Sequence, residues 1–553
     1  MKRILIAAVV LTLVAGAYAQ HEHPSTDGAK PAELIPGMGD VRHSVSTSNA
    51  EAQRFFNQGL AMVYGFIHEE AVKSFKRAAE LDPQLAMAHW GVALALGPNI
   101  NSPVDAGREK AAYEAIQKAR TLAAKASESE RAYIEALSKR YSNDPKADLK
   151  KLDVEYRNAM AELVRRYPDD LDAATLYSES IMDLNPWHYW SKEGKAGAGT
   201  EEIVSVLESV LRRNPDHIGA NHYYIHAVEA SLHPEWALPS AQKLKVLAPA
   251  AGHLVHMPAH IDIRSGNYEA AARSNAYAAE ADRELFKAAG QQGMYPMMYY
   301  SHNLHFLAVA HSMQGRYEDS KKAADQLYAH LTAYIQATGP MIDAMLPMID
   351  SFTPTPTLIM VRFKRWDDLL KAQAPDQRLV VSNALWRFGR AMAFASTGKL
   401  DSAEKERADL VSAVKAIPAD RPYGLNPVAT VFSIVQDVLG AKIAAAKNDK
   451  RGAIESLKKA VAAEDKLNYS EPEDWYIPVR ESLGSALIQN GDFAEAEKVF
   501  RAELAKHPRN GRALFGLMES LKAQGKKEAS SNIQMEFEAA WKNAQVMPRI
   551  EDL

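Results

Sequence analysis

Residues 476–508 read YIPVRESLGSALIQNGDFAEAEKVFRAELAKHP. Two helix-like stretches flank Asn490-Gly491, a pair of residues suited to a tight turn. Leu483 and Gly484 fall in the first stretch, Ala496 and Phe500 in the second, and Pro508 closes it. Residues 54–83, RFFNQGLAMVYGFIHEEAVKSFKRAAELDP, repeat that plan with Gly59, Ala71, Phe75, Ala78 and Pro83. Five constrained sites agree in one frame, which marks an internal repeat rather than chance.

This pattern resembles the tetratricopeptide repeat, a helix–turn–helix unit of about 34 residues that stacks on its neighbours. The resemblance covers most of Glu51–Trp541 and implies an all-α fold, a superhelical solenoid. Further units read around 86–96, from Leu171, and at Gly398/Ala403 and Ala441/Ala453/Ala460, with a final pair as cap. The expected organisation is a signal peptide at 1–19, a disordered segment at 20–50 and a first array at 51–345. A degenerate repeat or joint follows at 346–382, where FTPTPTLIMVRF begins as a poor helix candidate. A second array and cap fill 383–553. The chain resembles exported bacterial members of this repeat family.

Ten of the 18 histidines lie between His217 and His311, where an even spread would place about three. They are ordered as well as crowded. His222 and His226 are followed by Glu229; His253, His256 and His260 run i, i+3, i+7; His302 and His305 are three apart. Each set shares one helix face. In the repeat frame, Ile218 and Gly252 open successive units, and a third opens at Ser301, which requires a long second helix around Leu285. The resemblance then places all seven histidines and Glu229 at positions facing the concave groove of 218–311. Glu179 and Asp183 face it from the preceding unit. The insertion at 185–199 carries Trp187, His188 and Trp190, which suit either a lid or a packed loop.

Neutral imidazole ligates zinc, copper and iron, and seven histidines with carboxylates exceed the four ligands of one zinc. The expected function is therefore a transition-metal site, with Glu229 as ligand or base. Redox chemistry on a small-molecule substrate is preferred over hydrolysis. HYYIH is not the zinc-protease motif, since Tyr223 stands where its glutamate belongs. The alternative is a scaffold whose groove binds a peptide or protein without metal.

Composition sets the limits. The net charge of −4 argues against nucleic acid as a partner. There is no cysteine, which excludes disulfides and thiolate-ligated metal. Lys2 and Arg3, the apolar run Ile4–Val14 and Ala17-Tyr18-Ala19 read as a cleaved export signal, implying a periplasmic or secreted protein with no membrane insertion afterwards.

Overall fold

The structure is a computed structural model and describes residues 32–289, 293–337 and 339–553. Expectations for 1–31, including the signal peptide, lie outside the described residues. Among the described residues the only strands are Pro422–Tyr423 and Asn426–Pro427, paired antiparallel. Everything else that is regular is helix, and the helices come in pairs of the tetratricopeptide kind. They form two compact units. The N-terminal unit runs to Ile261 and adds Tyr277–Tyr300; the C-terminal unit holds Asp262–Ala276 and Ser301–Leu553.

The packing rule is the same in both. In the N-terminal unit, Phe75 on helix His68–Leu81 lies flat between Gly59 on Ala50–Tyr64 and Gly91 on Ala86–Leu96. A Cβ at Gly59 would sit 2.8 Å from the Phe75 ring, and one at Gly91 would overlap it. In the C-terminal unit, Phe500 on Phe493–Lys506 fills the same place between Gly484 and Gly516. A glycine on each flanking helix lets the backbones close onto one buried ring. The turn glycines also behave as the repeat requires: Gly266, Gly315, Gly398 and Gly491 have φ between 70° and 90°, a left-handed conformation that closes a helix.

Two stretches differ from the sequence reading. Residues 32–49 have no helix or strand, yet they are tied down. Gln58 accepts from the Ile35 amide at 2.7 Å and donates to the Glu33 carbonyl at 2.9 Å, and the Gly37 carbonyl accepts from Ala250 at 3.0 Å. Around FTPTPTLIMVRF, Pro354 and Pro356 do not prevent a helix; they start Thr355–Arg362, where a missing N–H leaves nothing unpaired. Helix Val428–Ala446 is long and apolar enough to cross a membrane by length and composition. Here it is a core helix, burying Val431, Ile434, Val435 and Leu439.

Buried charge also holds the C-terminal unit together. His507 lies 2.7 Å from Glu503 and 3.3 Å from Glu473, which also pairs with Lys506 at 2.8 Å. Burial alone would lower the His507 imidazole, but Glu503 and Glu473 override it and push it up to about 10.

Two predictions follow from this packing. Gly91→Val should drive the Phe75 ring out of its slot and cost about 3 kcal/mol in urea unfolding, the upper end for overpacked cores. His507 gains protons on folding, so its stabilisation is complete below about pH 6.5 and is lost as pH rises towards about 10. Urea midpoints should therefore fall across that window, with a slope of about 1.4 kcal/mol per pH unit from this group. His507→Gln should flatten the slope.

Candidate metal centre

Two helices of the N-terminal unit carry the central imidazoles. Helix Ile218–Val228 presents His222 and His226, and every one of its residues is buried. Gly219 lets it close onto the end of helix Ala50–Tyr64, since a Cβ there would lie 2.5 Å from the Tyr64 ring. That approach brings the Tyr64 carbonyl, which has no partner within its own helix, to 2.6 Å from His222 Nδ1. Helix Gly252–His256 presents His253 and His256. A side chain at Gly252 would overlap Asp282. The Tyr295 hydroxyl donates to Asp282 at 2.9 Å and accepts from the His253 amide at 3.1 Å, which pins the first turn. Pro258 starts the next helix, Pro258–Arg264, so the i, i+3, i+7 set spans a break at Met257. His260 nevertheless stays 4.7 Å from His256, centroid to centroid.

The nitrogens converge. His222 Nε2 and His253 Nε2 are 3.2 Å apart. One ligand nitrogen from each of His222, His226 and His253 lies within 4.8 Å of the other two. Two imidazoles bound at about 2.0–2.1 Å to a tetrahedral ion would have nitrogens about 3.3 Å apart, so this spacing suits metal ligation. Donation from His222 Nδ1 to a carbonyl leaves its Nε2 with a lone pair. His226 is fixed the same way: its Nδ1 lies 2.6 Å from Glu229 Oε1, and its buried Nε2 has no hydrogen-bond partner among the described residues. The second Glu229 oxygen takes His260 Nδ1, and His260 Nε2 is 2.8 Å from His256 Nε2.

Burial works against a proton on His222 and on His226. Burial, and then the neighbouring His226, push His222 well below the usual imidazole range. Burial also lowers His226, against the pull of Glu229. Burial alone would raise Glu229, but His260 and His226 override it and hold the carboxyl far below the ordinary carboxylate range. Glu229 is thus an anion with both oxygens committed to imidazole Nδ1 atoms. That fits orientation of ligands rather than the ligand or base role expected of it.

The expected solvated groove is not what surrounds these rings. His222, His226, His253, His256, His260 and Glu229 are each at most 2 % exposed. Helix Ile218–Val228 is buried on every side, so no face of it meets water. Phe66 lies among the rings, 4.6 Å from His222 and stacked 5.4 Å from His253. Tyr299 is 4.7 Å from His253, and Trp187 meets His226 edge-on at 5.5 Å. Phe66 and Trp187 both hold positive φ, 56° and 65°, a strained conformation for bulky residues. Nothing in the sequence around Phe66 signals it.

The remaining expected residues lie on other elements. The insertion is packed: Trp187 Nε1 donates to the Ile100 carbonyl at 3.0 Å, Trp190 Nε1 to Ala227 at 2.7 Å, and Tyr189 to Met182 at 3.2 Å. Of its lid candidates, Trp187 covers His226, Trp190 anchors the loop and His188 faces solvent. Asp183 pairs with Arg140 at 2.5 Å, and Arg140 also holds Asp153 at 3.1 Å. Burial and adjacent Asp183 push the Glu179 carboxyl well above the usual carboxylate range. His302 and His305 lie on helix Ser301–Met313 in the C-terminal unit. His305 packs 5.3 Å from Tyr476 and 5.7 Å from Phe352, and burial lowers it to about 4. Within the N-terminal unit a second knot holds 32–49: Asp172 accepts from Tyr64 Oη at 2.5 Å, and lies 2.9 Å from His43 and 3.2 Å from His217.

No family model and no curated protein matches the sequence. Among solved structures, the chain is similar to yeast Tom70, at 12% identity over 90% of this chain and 93% of that one, with a TM-score of 0.29. It is similar to the human IFIT1 dimer with m7Gppp-AAAA, at 12% identity over 91% and 92%, also with a TM-score of 0.29. A third is the P58(IPK) TPR domain, at 11% identity over 86% and 99%, with a TM-score of 0.22. Scores this low add nothing to the helix-pair geometry, which carries the fold assignment.

Histidine modification by diethyl pyrocarbonate, located by mass spectrometry, tests the enclosure. Exposed His188 and His233 should react fast, and the five inner histidines slowly. Trp187→Ala should speed His226 at least tenfold and leave His233 unchanged; equal rates in both proteins would show that Trp187 does not cover the ring.

Proposed function

We propose that this protein binds a transition-metal ion through His222, His226 and His253, with Glu229 as the buried carboxylate that orients the ligands. One observation carries the reading: three desolvated imidazoles bring ligand nitrogens within 4.8 Å, with hydrogen bonds holding the far nitrogens of two of them. Burying a polar nitrogen such as His226 Nε2 without a partner costs about 1–3 kcal/mol, and an ion bound there offsets that cost. Nitrogen ligands without thiolate suit zinc, copper or iron, and three histidines leave a coordination position open for a small molecule. Metal-dependent chemistry, redox before hydrolytic, is the activity this arrangement supports. Rings at most 2 % exposed are unsuited to stacking on an extended peptide, which weighs against the scaffold reading for these residues.

Export through 1–19 belongs to the same proposal and is read by mass spectrometry of the N-terminus, with Gln20 expected first. For the metal, elemental analysis of protein purified without a histidine tag should find copper, iron or zinc. His226→Ala and His253→Ala should each lower affinity for added metal at least 100-fold, with helicity kept by circular dichroism and His233→Ala as control. Wild-type protein that holds none and takes up no added zinc, copper or cobalt overturns the proposal.

A further inference from the structure

Resting on that reading, we infer that the centre is built for two ions, the second held by His256 and His260. Five imidazoles are buried together in the N-terminal unit, and one ion uses three of them. The other two form their own convergent pair, with Nε2 atoms 2.8 Å apart. His260 gives its Nδ1 hydrogen to Glu229, so its Nε2 presents a lone pair towards His256. A plain N–H···N bond between the rings would also satisfy that distance. It leaves unexplained why the pair adjoins the first set so closely: His226 meets His260 edge-on at 5.6 Å, and His253 stacks on His256 at 5.7 Å.

Glu229 makes the arrangement a unit. Its two oxygens orient one ligand of each ion, His226 for the first and His260 for the second. A single buried anion therefore serves two cationic positions and offsets part of the charge of both. Two ions held by these histidines would together supply Lewis-acid sites for the oxygen atoms of a small ligand, water or a small oxyanion. The substrate class implied is a small molecule with at least one oxygen donor, able to reach imidazoles flanked by Phe66, Trp187 and Tyr299.

Titration of the metal-free full-length protein with cobalt(II), followed by visible absorption and by elemental analysis after gel filtration, tests this. Wild type should bind two equivalents. His256→Gln with His260→Gln should bind one, its absorption matching the first equivalent of wild type. Glu229→Gln should weaken both equivalents about 10–100-fold. One equivalent in wild type, unchanged by the double substitution, overturns the second ion and leaves the first. No cobalt bound at all overturns the metal reading itself. The wild-type stoichiometry decides the question even if a variant fails to fold.

Discussion

A carboxylate with no access to water has to be paired, and Glu229 is paired twice. Its oxygens take the Nδ1 atoms of His226 and His260, which come from helices in successive repeats. Breaking such a buried pairing from one side typically costs about 3–5 kcal/mol. Because the carboxylate can be satisfied only where both rings point at it, it fixes which nitrogen of each ring is left for chemistry. His222 and His253 then complete the arrangement from the same two segments. Those segments meet only because Gly219 and Gly252 let their helices approach Tyr64 and Asp282 closely.

Much of this was legible in the sequence, for a physical reason. A ring wedged between two helices needs a glycine or alanine opposite it, so Gly59 with Phe75 and Gly484 with Phe500 announce the repeat at fixed spacing. The histidine stripes were legible because helical periodicity is a property of the chain alone. Their surroundings were not. A stripe says which residues share a face, not what meets that face, and helix Ile218–Val228 is buried on every side. His305 shows the converse: its position in the repeat matched the others, yet its neighbours are Tyr476 and Phe352.

Strain was the other hidden quantity. The positive φ of Phe66 and Trp187 puts two large rings against the imidazoles, and no local pattern announces either one. Proline misled in the opposite sense. In FTPTPTLIMVRF it argued against helix, but at the first turn its missing N–H removes a donor that would have had no partner anyway.

Tyr64 enters the site in two unconnected ways. Its hydroxyl reaches Asp172, while its main-chain carbonyl receives His222 Nδ1. Only the first contact belongs to the side chain. Every amino acid supplies the same carbonyl, so substitution at position 64 probes the hydroxyl and is blind to the acceptor that sets the tautomer of His222. A saturation screen for residues that govern this histidine would therefore pass over its nearest partner, and only a change in the path of the backbone itself would bring that partner to light.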